Sequence, residues 1–366
     1  MTQVNSLETF AARLLSTIES GAALDDGQFN ELALTLFQLQ LARNAAYRSV
    51  CRTRDVRVTT VTDWKQIPTV PAAGFKELEF SCIEAAERSR VFFSSGTTQQ
   101  NRSRHFHHAG SLRVYEASLL SWFKLSMPAP MPSLVVALTP DGGQAPNSSL
   151  VHMFETLRKW ADFETFNFSG TISDDAAWTL NIPATLGWLE KAIESNRPVL
   201  LLGTAFSYVH LLDYLRERSK VLALPGGSKI LETGGYKGRS RTLPKPELHS
   251  LMSRYLGVQR SNIIAEYGMS ELSSQAYAGV FEPGSIDGAD IFRFPPWARA
   301  LVVSPETGNR VGHGEPGQLK ILDLANVYSV AAIQTEDLAI ARREGFELLG
   351  RAAVAEPRGC SLMAAD

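Results

Sequence analysis

Residues 91–101 read VFFSSGTTQQN, a short apolar run that opens into Ser94, Ser95, Gly96, Thr97 and Thr98. Such a loop offers a row of backbone N–H groups and several hydroxyls, and its glycine lets the main chain come close to a ligand. That is a phosphate cradle in outline. Ser, Thr and Gly also make ordinary turns, so the flanking sequence has to decide between the two. Upstream lies an apolar strand; downstream come RHFHH and then a helical pattern over residues 111–124. The order is strand, glycine loop, short segment, helix.

The same alternation recurs along the chain. SLVVAL at 133–138 has the continuously apolar look of a buried strand and leads through TPDGGQAPNSS into a helix over 150–161. VLLL at 199–202 passes through Gly203 and Thr204 into a helix over 207–216. Residues 229–231 lead through a glycine pair into a helix near 246–256, and a short strand at 262–265 is closed by Glu266, Tyr267 and Gly268. Strands separated by crossover helices predict a largely parallel α/β sheet with ligands at the carboxyl ends of its strands. Residues 7–49 read as helices, with Asp25 and Asp26 in capping position. Beyond Pro283 and Gly284 the pattern changes to short strands and turns. We therefore divide the chain into a helical region packed on the core (1–70), an α/β core (71–282) and a β-rich subdomain with a cysteine-bearing tail (283–366).

Lys and Arg number 36 against 38 Asp and Glu, a net charge of -2, so no overall field draws in nucleic acid or an anionic membrane. No stretch approaches the length of an apolar span and the N-terminus lacks a leader pattern. A soluble, cytoplasmic protein is expected. Cys51, Cys82 and Cys360 are odd in number and widely spaced, which argues against a disulfide framework or a cysteine-rich zinc site. His105 and His107 share one face of an extended segment, yet no second ligand pair at recognisable spacing follows, and they read as strand surface.

Three further loops carry chemistry. ETGGYKGRSR at 232–241 mixes glycines with Lys237, Arg239 and Arg241, which suits close approach to an anion; it lacks the spacing and lysine of a Walker A loop. EYGMSE at 266–271 sets Tyr267 four residues from Glu271 just after a strand, a stacking face and a hard oxygen ligand for magnesium. In QTED at 334–337, Asp337 is placed to accept hydrogen bonds from ribose hydroxyls, or else is a turn aspartate.

Taken in order, FFSSGTT, SSLVHM, GTAFSY, ETGGYKGRSR, EYGMSELSSQ, PWARALVVSPETG, AIQTEDLA, GFELLGR and EPRGCSL resemble the adenylate-forming acyl ligases related to phenylacetate-CoA ligase. The closer resemblance is to the LuxE-type acyl-protein synthetases that activate fatty acids for bacterial bioluminescence. It runs from about Phe75 to the C-terminus. It implies the N-terminal-type domain of that fold without the large mobile C-terminal lid. It also implies ATP and Mg2+ as cofactors. Ser94, Ser95, Gly96, Thr97 and Thr98 would then hold the β and γ phosphates, Thr98 and Glu271 the metal, Gly234 and Gly235 the adenine edge, and Tyr267 with Gly268 its face. Asp337 would hold the ribose and Arg351 would approach the ribose or α-phosphate. Lys237, Arg239 or Arg241 would replace the lid's catalytic lysine.

The resemblance also implies that Cys360, beside Arg358 and after Gly359, takes the acyl group as a thioester and passes it to a partner. That partner would be a reductase, an acyltransferase or a carrier. The reading is ATP-dependent activation of a carboxylic acid, a fatty or related one, followed by transfer to a protein thiol. Its rivals are an acyl-CoA or acyl-carrier ligase and a catalytically silent scaffold. The acid's pocket is expected among residues 148–149, 203–208 and 268–270.

Overall fold

The computed structural model describes residues 5–94, 102–127, 129–173, 177–235, 240–279 and 290–351. The chain opens with α1 (Leu7–Glu19), α2 (Asp26–Arg43) and α3 (Ala45–Thr53). Each begins on a side chain that accepts a free backbone N–H: Ser6 from Thr9, Asp25 from Gln28, Asn44 from Tyr47. Strand β1 (Val70–Pro71) and a single turn, α4 (Gly74–Glu77), precede the antiparallel pair β2 (Arg90–Phe93) and β3 (Arg104–His107).

Next come α5 (Ala109–Ser126), β4 (Leu134–Ala137), α6 (Ser149–Trp160) and β5 (Thr165–Phe168), then the small pair β6 (Gly170–Ile172) and β7 (Trp178–Leu180). The α/β alternation continues with α7 (Ile182–Glu194), β8 (Val199–Thr204), α8 (Ala205–Glu217), β9 (Lys229–Thr233), α9 (Lys245–Leu256), β10 (Ile263–Tyr267) and β11 (Ala276–Ala278). The last strands are β12 (Ile291–Phe292), β13 (Ala298–Val303), β14 (Pro316–Asp323), β15 (Ala332–Arg342) and β16 (Gly345–Arg351).

Two six-stranded sheets result. The first runs β11-β10-β9-β8-β4-β5, parallel throughout except for β11 at its edge. Its strands are apolar on both faces because helices cover both. Leu200, Leu202, Leu231 and Ile264 face α5 and α6, while Leu201, Ile230 and Ile263 face α7, α8 and α9. The second sheet is antiparallel, in the order β12-β16-β15-β14-β13, with β1 added in parallel to β15.

The first sheet follows the alternation in the sequence. Strand β15 does not: its eleven residues contain QTED, and four consecutive polar residues disguise the apolar period. Asp337 therefore lies inside a strand, beside a register irregularity between Leu338 and Ala339, and not in a turn. The helical N-terminus shares one apolar core with this second sheet, and α1 also packs on α5. Gln40 of α2 donates to the carbonyls of Asn326 (2.7 Å) and Val327 (3.1 Å) and accepts from the Ala331 N–H (3.0 Å). Among the described residues no helix is long and apolar enough to cross a membrane.

Candidate active site

The two sheets meet at the turn that follows β10. Tyr267, the last residue of β10, donates its hydroxyl to Asp337 Oδ2 of β15 at 2.7 Å, and Arg351 Nε at the end of β16 stands 3.9 Å from Asp337 Oδ1. Three residues singled out in the sequence from three separate segments thus share one ionic and hydrogen-bonded group. The Tyr267 ring sits edge-on among Phe292, Phe294 and Phe346, which fixes its plane. Burial pushes the Asp337 carboxyl up, against the Tyr267 hydroxyl and the Arg351 charge.

Glu271 lies four residues on, almost fully buried, and the turn that carries it is held from three directions. His105 Nδ1 is 2.8 Å from the Ser270 carbonyl. A carbonyl can only accept, so Nδ1 carries the proton, and burial keeps the ring neutral by lowering its pKa to about 4. Asn326 Nδ2 donates to the Glu271 carbonyl at 2.8 Å. Asp323 accepts from the backbone N–H groups of Ser273 (2.9 Å) and Ser274 (2.8 Å), from the Ser274 hydroxyl (2.7 Å) and from the Ala325 N–H (3.0 Å). Gln40 in turn fixes the 326–331 loop, so the N-terminal helices brace the site from a distance. None of His105, Asn326, Asp323 or Gln40 was marked by the sequence for this task. The expectation that His105 and His107 lie on a strand surface is corrected: both are buried, because β3 runs beneath the turn.

A carboxylate at such a position needs a reason to stay charged. Burial pushes Glu271 up, only partly offset by the hydroxyls of Ser103 and Ser270 and by Arg351. A bound cation would supply the missing compensation. No cluster of three or more His, Cys, Asp or Glu stands among the described residues. Gly234 has φ +69°, a left-handed conformation that favours glycine, and added Cβ atoms on Gly234 or Gly235 would meet nothing within 4 Å. The glycine pair therefore borders open space at the end of β9.

Behind the pair lie two buried carboxyls with opposite behaviour. Burial works to raise Glu232, yet Lys245 at 3.6 Å and His249 at 3.4 Å hold it below its usual value. Glu266 has only the Thr233 hydroxyl and the more distant Lys245 to help it; burial, with Glu232 adding, lifts it to about 7. Gly268 is where this carboxyl comes to rest: a Cβ there would fall 2.3 Å from Glu266 Oε1, so a larger residue would have to displace the end of that side chain.

The Glu266 shift has a testable consequence. Because the folded pKa lies above the unfolded value of about 4.5, the native state binds the proton more tightly. The associated stability is fully present below pH 4.5 and is lost as pH rises through 7. Glu266→Gln should therefore gain stability over wild type between pH 5 and pH 8, by on the order of 2 kcal/mol. Denaturant melts of the two proteins at both pH values check this, and parallel shifts would refute it.

Ser94 is described and closes the strand end, its N–H on the Ser103 carbonyl and its hydroxyl accepting from the Ser103 N–H at 2.9 Å. Ser95, Gly96, Thr97, Thr98, Lys237, Arg239 and Cys360 lie outside the described residues. Arg241 is engaged with Asp213 at 2.8 Å. Cys51 is buried and burial raises the Cys82 thiol to about 12, which leaves both unreactive.

A family model described as acyl-protein synthetase, LuxE, matches residues 22–366. The chain is similar to a long-chain-fatty-acid–luciferin-component ligase of Aliivibrio fischeri, 23% identical over 92% of this chain and 88% of the relative. It is similar to the protein of that name from Vibrio harveyi at 21% identity, over 89% of this chain and 84% of the relative. Among solved structures, an open conformation of 2-hydroxyisobutyryl-CoA ligase superposes with TM-score 0.63 at 14% identity, covering 91% of this chain and 72% of that one. The same ligase in its thioesterification state gives 0.65, over 91% and 69%; likeness at this identity is likeness of fold. With the family model matching nearly the whole chain, the protein belongs to the LuxE acyl-protein synthetase family of ligases.

Proposed function

We propose that the protein activates a carboxylic acid, a fatty or related one, with ATP and Mg2+, and then transfers the acyl group to the thiol of Cys360. The acid's carboxylate attacks the α-phosphate of ATP, giving acyl adenylate and pyrophosphate; the thiolate then attacks the acyl carbon, forming a thioester and releasing AMP. The observation that carries this reading is the meeting of Tyr267, Asp337, Arg351 and Glu271 at one join between sheets, in a chain whose family is defined by acyl-protein synthesis.

Each residue has a chemical task. Asp337, fixed by the Tyr267 hydroxyl, accepts from the ribose hydroxyls, and Arg351 lies near enough to that carboxylate to approach the ribose or α-phosphate. Gly234 and Gly235 admit the adenine edge, with Tyr267 and Gly268 at its face. Ser94 begins the hydroxyl-rich loop whose Ser95, Gly96, Thr97 and Thr98 hold the outer phosphates. Glu271 and Thr98 hold Mg2+, which when bound neutralises phosphate charge. Lys237 or Arg239 supplies a further cation to the phosphates. The thioester at Cys360 is then passed to an acceptor protein, a reductase, an acyltransferase or a carrier.

Acid-dependent exchange of labelled pyrophosphate into ATP, over acids of increasing chain length, scores the first step. Activity rising with chain length supports fatty-acid activation; no exchange with any acid would sink it in favour of a silent scaffold. The second step is read by intact mass after incubation with acid and ATP. The acyl mass shift is expected in wild type and absent in Cys360→Ser, and its persistence in the variant would exclude Cys360 as acceptor.

A further inference from the structure

Four neighbouring strands of the first sheet carry polar side chains at matching positions. Thr204 of β8 pairs with Thr233 of β9, Thr233 with Glu266 of β10, and Glu266 with Tyr277 of β11. Paired residues point to the same face of a sheet. Two residues earlier on that face stand Leu202, Leu231 and Ile264, fully buried against α5 and α6. Apolar side chains would be the ordinary continuation of a strand covered on both faces. Here all four positions are polar and buried.

Among the described residues this row is not fully satisfied. Thr204 is used as the cap of α8, bonded to Ser207, and the Thr233 hydroxyl donates to Glu266 Oε2. Among the described residues the Tyr277 hydroxyl has no partner, nor has Gln275 Oε1, whose side chain flanks Gly268 together with Glu266. Buried polar atoms are almost always paired. Two unpaired ones beside Glu266, across from the carboxyl end of a parallel strand, where open α/β sheets take their ligands, mark a surface that a ligand completes. Glu266 directly precedes Tyr267 and shares its turn with Glu271, so a ligand group here lies close to the reacting end of the acid.

We infer that this polar row receives a hydroxyl carried close to the carboxylate of the acid, making 2- or 3-hydroxy acids the preferred substrates over unsubstituted alkyl acids. The inference rests on the acyl-activation reading and names its substrate class. A hydroxyl both donates and accepts, which matches an unpaired acceptor in Gln275 and an unpaired hydroxyl in Tyr277 on the same strand face. An alkyl chain would leave both unpaired, and a site built to hydrogen-bond a substrate hydroxyl discriminates strongly against the analogue without it. An ammonium only donates. It would also be desolvated beside a carboxyl that burial holds at about 7, close to half neutral near physiological pH.

The test is pyrophosphate exchange on the full-length protein with acids matched at each of several chain lengths: unsubstituted, 2-hydroxy, 3-hydroxy and the corresponding amino acids. For at least one hydroxy acid kcat/KM should exceed that of its unsubstituted parent tenfold or more. That ratio should fall toward unity in Glu266→Leu and in Tyr277→Phe. The phenylalanine variant removes a single oxygen from a buried ring and remains informative if leucine at 266 disturbs folding. Three results overturn the inference: an unsubstituted acid used as well as its hydroxy partner at every length, which would mean that buried water alone completes the row; an amino acid preferred over the hydroxy acid; or an unchanged ratio in Tyr277→Phe. All three leave acyl activation standing, whereas exchange with no acid whatever removes both readings.

Discussion

Glu271→Gln is expected to lower acid-dependent pyrophosphate exchange by about 10²–10³-fold. The amide keeps the size of the side chain and can still bond the Ser270 hydroxyl, which stands 3.0 Å from Oε2 in the native protein. What it loses is the charge that a divalent cation requires, and with it the neutralisation of phosphate oxygens as the α-phosphate is attacked. The sign of the stability effect separates this role from a structural one. The native carboxyl is buried and raised, so without metal at neutral pH its ionised form opposes folding and the neutral amide should leave the apoprotein as stable as wild type or more so. Exchange measured against Mg2+ concentration, together with apoprotein melts, checks both halves. An exchange rate near wild type would remove Glu271 from the metal site, and a destabilised apoprotein would indicate a packing role.

Asp323→Ala is expected to have the largest effect on stability, about 3–5 kcal/mol in denaturant unfolding. Asp323 is completely buried and accepts from three backbone N–H groups and one hydroxyl. Alanine would leave these donors without a partner in a place water reaches poorly. Because two of the backbone donors belong to Ser273 and Ser274, just past Glu271, the turn should lose its fixed position as well, and the Mg2+ dependence of exchange should weaken in parallel. Asp323→Asn is the finer probe: it keeps the shape, but its amide N–H group would face donors, so it should also destabilise, by less. A loss below about 1 kcal/mol for alanine, the level of an ordinary surface change, would show that the turn is held by its backbone alone.

The sequence carried most of the fold. Continuous apolar runs such as SLVVAL and VLLL, each followed by turn residues and a helical period, located β4 and β8 and announced the parallel sheet. The ordered motifs pointed to the acyl-protein synthetases. Strand β15 was hidden because QTED interrupts its apolar residues, and the burial of β3 was hidden because histidines at alternating positions look like an exposed edge. Glu266 was readable as the charged end of an apolar strand, but nothing local distinguishes a strand end that meets solvent from one that lies under two helices.

What the sequence by itself determined is the succession of strands and helices, the family and the candidates for the chemistry, since periodicity, turn residues and motif order are local properties of the chain. Only the tertiary structure decided how those residues meet. Tyr267 reaches Asp337 across 70 positions, Asn326 reaches the Glu271 carbonyl across 55, and Gln40 reaches Asn326 across 286. The polar row from Thr204 to Tyr277 exists only because residues of four neighbouring strands fall into register. Register and the join between sheets are set by packing between distant segments, and no local pattern records which side chain a buried carboxyl will find beside it.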